Sequence, residues 1–146
     1  MTGTYRHILA AVEVQDDGRA VLDRAHGLAQ QFGAQLSVLH VVEYLPVDPA
    51  GDALLTTPVD LSRERATQAE ARLREWCQPL GIPAERARVA VGPVTAEILR
   101  AAQEHGADLI VVGHHPRRGL AALFGHTEGG VVTRAPCDVL AVHLKP

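Results

Sequence analysis

The residues best suited to chemistry lie between positions 113 and 130, where Gly113, Gly119, Gly125, Gly129 and Gly130 surround Arg117 and Arg118. Glycine lets a backbone come close to a phosphate. Successive amide N–H groups in a turn, or at a helix N-terminus, then form an anion site. The two arginines would favour an anion nearby, so the chemistry this segment could do is phosphate binding. The P-loop pattern with its Lys-Ser/Thr pair is absent, as is the Rossmann spacing of glycines near the N-terminus. By composition alone the stretch reads first as a set of surface turns, since most such loops are turns.

Other reactive side chains form no constellation. The chain has eight histidines. His114 and His115 are adjacent, and His126 could approach them, but no cysteine or carboxylate accompanies them at metal-ligand spacing. They read as loop histidines, and no metal is expected. His40 sits in an apolar run and reads as a hydrogen-bonded histidine of the core or its rim. Cys137 follows Pro136 with no histidine placed beside it, so a packed thiol is expected rather than a nucleophile. Cys77 shares a helical face with Leu73 and Leu80 and reads as core. No serine, cysteine or carboxylate pair makes a catalytic set, so the chain is not read as an enzyme. The remaining enzymatic reading is a slow nucleotide hydrolase or phosphotransferase with Glu13 as base.

The elements that must position these residues alternate. His7 to Val12 is a buried apolar run and predicts a strand. Asp16 and Asp17 offer helix N-caps. Leu22, Ala25, Leu28, Ala29 and Phe32 then recur at spacings of three and four, one apolar helical face, and Gly33 suits its C-cap. Gln35 to Val42 predicts the second strand. Tyr44 to Pro58 has no clear period and predicts a mobile surface loop. Asp60 or Ser62 starts a second helix, with Leu61, Ala66, Ala69, Leu73, Trp76 or Cys77 and Leu80 as its buried stripe. Gly81 and Pro83 stop it. Arg88 to Val91 predicts a short third strand, Val94 to Gly106 a helix burying Ile98, Leu99 and Ala102, and Asp108 to Val112 a fourth strand. A short helix ends near Arg134, and Asp138 to Val142 is the last strand.

Alternation of this kind argues for one α/β domain over residues 1–146, with parallel strands joined by helical crossovers. In open sheets of this type ligands sit beyond the carboxyl ends of the strands, where the strand order reverses. Three segments should meet there: Ala11 to Val14, Val41 to Glu43, and Gly113 onward.

Bulk properties exclude several classes. Aromatics are only 3%, so Ala, Val, Leu and Ile must build the core, which suits a sheet covered on both faces. The formal net charge is −3 and the basic residues are scattered, so no nucleic-acid footprint is present. Glu13 closes the apolar run from Ile8 after five residues, short of the roughly 7–15 a secretory signal needs. No run approaches the roughly 18 that span a bilayer. Two cysteines make no disulfide framework. A cytoplasmic protein is expected, without membrane or nucleic-acid partners.

Several stretches carry a family resemblance. Tyr5 to Val12, Leu39-His-Val41, Val91-Gly-Pro93 before a helix, Asp108 to His115, and Arg134 to Val142 resemble, in order, the recognisable segments of universal stress proteins. The resemblance spans essentially the whole chain. It implies a doubly wound five-stranded parallel sheet of order 3-2-1-4-5 with helices on both faces. It also implies a homodimer paired along the last strand, where Val139, Ala141 and His143 are the candidate edge residues.

The family divides by its nucleotide loop. Members that bind ATP resemble the pattern Gly-x-x-Gly, nine residues, then Gly-Ser/Thr. Gly113 fits the first position, but Pro116 stands for the second Gly. Eight residues separate Pro116 from Gly125, so one is missing, and His126 stands for Ser or Thr. Proline removes an amide donor and fixes φ, and histidine lacks the short capping hydroxyl. At the first strand Glu13 replaces the family's aspartate. The resemblance therefore implies similarity to the founding class, which does not bind ATP and also carries Gly-His-His. The expected function is a dimeric stress-response module that binds or regulates unidentified protein partners, with no cofactor. The alternative is an ATP-binding sensor, for which the resemblance and the loop composition mark Ala11, Val12, Glu13, Val41, Gly113, Arg117, Gly125, His126 and Thr127.

Overall fold

The computed structural model describes residues 4–15, 17–43, 58–115 and 127–144, and of 58–60, 127 and 128 the backbone alone. The elements run β1 (His7–Ala11), α1 (Gly18–Phe32), β2 (Gln35–Val42), α2 (Pro58–Cys77), β3 (Ala87–Val91), α3 (Val94–His105), β4 (Leu109–His114), α4 (Thr127–Arg134) and β5 (Asp138–His143). The five strands form one sheet in the order β3-β2-β1-β4-β5. Every neighbouring pair is parallel. This is the doubly wound α/β sheet that the resemblance implied.

Strand residues alternate between two cores, as the period of two requires. Ile8, Ala10, Val38 and Val111 face α1 and α2, packing with Leu22, Ala25, Leu73 and Trp76. Leu9, Leu39, Ile110 and Val112 face the other way, with Ile98 and Ala102 of α3 and Val131 of α4. Both faces are covered by helices, which is why the inner strands read as unbroken apolar runs. The predicted stripe of α1 is present but incomplete, because Val21 is also buried, at 2% exposure. Phe32 instead stacks edge-on against Tyr5, ring centroids 5.3 Å apart. On α2, Trp76 and Cys77 are both buried.

The helix ends differ in part from expectation. Gly33 and Gly106 do close α1 and α3, at φ of 65° and 62°, a conformation open to glycine at no steric cost. Asp17 occupies the N-cap position of α1, but its side chain makes no capping hydrogen bond. Asp16 lies outside the described residues. The second helix begins at Pro58, ahead of Asp60 and Ser62. Proline suits a first helical turn because its missing N–H would have no helical partner there. Ser62 is buried inside that helix rather than capping it. The loop expected from Tyr44 lies, as far as position 57, outside the described residues. β4 runs two residues past its predicted end because Gly113 and His114 pair with Val142 and His143. Among the described residues no helix is long and apolar enough to cross a membrane.

Candidate functional site

The crevice at the carboxyl ends of β1, β2 and β4 is the place where the strand order reverses. Ala11, Glu13, Val41 and Gly113 all lie at that end of the sheet. Ala11 and Val41 are half-buried and pack against the α3 side. Glu13 is exposed just beyond β1.

Val12 is held differently. Its side chain is 4% exposed and belongs to the core. Its N–H donates to the Leu39 carbonyl at 2.9 Å. His40, buried in β2, lies with Nδ1 2.8 Å from the Val12 carbonyl. A carbonyl can only accept, so Nδ1 carries the proton in this contact. His40 is thus the hydrogen-bonded core histidine expected, and it ties the end of β1 to β2.

Two glycines mark tight packing near this end of the sheet. A Cβ built on Gly113 would stand 2.8 Å from Leu144 Cδ1 and 3.2 Å from Val21 Cγ2. A side chain at the end of β4 would therefore press on side-chain ends from α1 and from the residue after β5. A Cβ on Gly18 would stand 1.5 Å from the Glu13 carbonyl oxygen. The turn from β1 into α1 folds back so tightly that no side chain fits there. Sequence reasoning missed Gly18. The available signal was a poor helix former at a helical start just after two aspartates.

The turn is also linked to β4. His115 Nδ1 lies 3.6 Å from Asp17 Oδ2, with the imidazole only 16% exposed. The Asp17 carboxylate thus faces the β4 segment rather than its own helix N-terminus. This contact joins residues far apart in sequence and has no local signature. His114 stacks at a tilt near His143 of β5, with ring centroids 6.0 Å apart. Arg117, Gly125 and His126 lie outside the described residues. Thr127 opens α4, and its side chain is not described.

The two cysteine thiols are both shifted away from the thiolate form. Burial pushes the Cys77 thiol up to about 11. Burial, then Asp138 and Asp108, also raises the Cys137 thiol. A nucleophilic cysteine needs the opposite shift. Burial, then His105 and Arg86, lowers His7, whose Nε2 is 3.0 Å from Ser37 Oγ. Among the described residues no group of three or more His, Cys, Asp or Glu side chains could hold a metal ion.

A family model described as the universal stress protein family matches residues 4–143. The chain belongs to that family. The "Universal stress protein A homolog 1" of Coxiella burnetii is 37% identical over 143 residues, which is 97% of this chain and 98% of the relative. The universal stress protein UspA from Lactobacillus plantarum superposes with a TM-score of 0.76 at 27% identity, over 94% of this chain and 97% of that one. A universal stress protein solved in complex with cAMP gives a TM-score of 0.65 at 25% identity, over 95% and 97% of the two chains. Membership of the universal stress protein family supports a role in the stress response.

Proposed function

We propose that this chain is a non-enzymatic stress-response module that works as a homodimer through β5 and regulates protein partners without holding ATP. The observation that carries the reading is the state of the β5 edge. β5 ends the sheet. The Leu144 N–H donates to the His114 carbonyl. In a parallel pair this fixes which residues face β4, because the direction alternates along a strand. Even-numbered residues of β5 direct their backbone groups to β4, and Val139, Ala141 and His143 direct theirs to the free edge. An open edge of this kind is a template for pairing with a second strand. Ala141 is exposed, and Val132 of α4, 58% exposed, is the large exposed hydrophobic side chain among the described residues.

The reading without ATP rests on the crevice. A Cβ at Gly113 would meet Leu144 and Val21, so internal packing gives this glycine a use apart from phosphate. The sequence adds Pro116 and His126 where a phosphate loop wants Gly and a hydroxyl. The non-enzymatic reading is supported by two thiols held protonated. The test is sedimentation of the purified chain at micromolar concentration. A species of twice 15.6 kDa is expected. A monomer would overturn the proposal.

A nucleotide-binding sensor is the second reading. What favours it is the convergence of Ala11, Glu13, Val41 and Gly113 at one end of the sheet, together with the relative solved with cAMP. In that reading the ligand would bias the chain between conformers or partners.

A further inference from the structure

A polar groove lies at the amino end of the sheet, between α3 and the edge strand β3. Leu9, Leu39 and Ala90 pack on the α3 side. Side chains two residues apart on a strand share a face, so His7, Ser37 and Arg88, each two residues earlier, are on that side as well. Ser37 and Arg88 line a cavity of about 40 Å³ there, together with Arg86 from the turn before β3 and Glu97, Arg100, Glu104 and His105 of α3. One water needs roughly 10–15 Å³, so the space fits a few heavy atoms and not a nucleotide.

The charges of this lining do not cancel. Three arginines face two carboxylates, an excess of one positive charge. Arg100 is paired with both Glu97 and Glu104. Arg86 and Arg88 make no ion pair and no side-chain hydrogen bond among the described residues. The His7 ring lies 5.8 Å from that of His105, centroid to centroid. Its Nε2 is 3.0 Å from Oγ of the buried Ser37. Burial, then His105 and Arg86, lower His7, and Asp108 opposes them. Basic groups thus crowd one place, and a nearby anion would relieve their mutual repulsion.

We propose that this groove binds a small tetrahedral oxyanion, a phosphate either free or at the head of a small monoester. Arg86 and Arg88 receive its oxygens, while Glu97 and Glu104 stay with Arg100. Guanidinium forks suit phosphate because they donate two parallel hydrogen bonds. When the His7 Nε2–H donates to Ser37 Oγ, the Ser37 hydroxyl hydrogen is left to turn to the anion. A bound dianion favours the charged imidazole, so binding and protonation of His7 support each other. The groove is at the opposite end of the strands from the crevice, so the proposal stands independently of how that crevice is used.

The test is imidazole and amide NMR of the full chain, titrated with inorganic phosphate and with glycerol 3-phosphate at constant ionic strength. Saturable shifts at His7, Ser37 and His105 are expected, with one phosphate per chain. The tighter of the two ligands identifies the free or the esterified form. On saturation the pH midpoint of His7 should rise. In the unliganded chain Arg86→Gln should also raise it, because one cause of its lowering is removed. Arg86→Gln with Arg88→Gln should weaken phosphate binding about tenfold, roughly 1.4 kcal/mol shared between two partly exposed charge contacts. Arg63→Gln with Arg65→Gln, exposed on α2 across the sheet, should leave it unchanged. Thermal unfolding of each variant should match the parent. Absence of saturable shifts, equal shifts with sodium chloride, equal binding by the variant lacking Arg86 and Arg88, or shifts confined to Glu13 and Gly113 would each overturn the proposal.

Discussion

At the residue scale, the close contacts around the crevice are backbone contacts, and they respond sharply to one added carbon. Gly113→Ala brings a methyl group against Leu144 Cδ1 and Val21 Cγ2, side-chain ends that can give a little. Overpacking of that kind costs about 1–3 kcal/mol. Gly18→Ala meets the Glu13 carbonyl itself, so backbone must move and the loss is larger. Urea unfolding of the two variants should rank them in that order, and equal stability of Gly18→Ala and the parent would contradict so tight a turn. Cys77 gives a second test. Its thiol keeps its proton to about 11 when folded, against an ordinary thiol at 9.0. Stabilisation from this group is therefore complete below about 9 and is lost as pH rises through about 11. Native protein at neutral pH should leave Cys77 unmodified by a maleimide until denaturant is added. Rapid modification of the folded chain would contradict the burial. Of these residues, the sequence made His40 and Cys77 legible because their apolar neighbours sit at regular spacing. Gly18 and the His115–Asp17 contact were not legible, because both depend on a turn meeting distant chain.

At the element scale, periodicity located all five strands, and it placed the ends of α1 and α3 at glycines that take positive φ. Boundaries failed where tertiary pairing decides them. β4 reaches His114 only because β5 lies beside it, and α2 begins two residues before Asp60 because proline is welcome at a helix start. The backbone directions along β5 make a specific prediction. Ala141 directs its N–H to the free edge, so Ala141→Pro removes a donor for an external strand while sparing the ladder to β4. Proline is tolerated on edge strands for this reason. The variant should keep the far-ultraviolet dichroism of the parent and sediment as a monomer. A folded Ala141→Pro that remains a dimer would move the interface away from β5.

At the scale of the whole molecule, alternating strands and helices were enough to expect a parallel α/β sheet, but not its order. Strand order follows from which crossovers go to which side, and no local pattern records it. The order 3-2-1-4-5 came from the family resemblance, and the strand pairings agree with it. The same order creates two distinct features, the crevice at the strand ends and the open edges of β3 and β5. We propose that function lies at the β5 edge rather than in the crevice. Carried-over nucleotide would obscure the distinction, so the decisive measurement uses protein unfolded and refolded free of ligand. ATP with Mg²⁺ is titrated into it by calorimetry, with a thermal-shift assay beside it because binding heat can be near zero. A crevice that holds no nucleotide gives no saturable heat and no stabilisation up to millimolar ATP. Micromolar binding of one nucleotide per chain would overturn the proposal and make the crevice the working site.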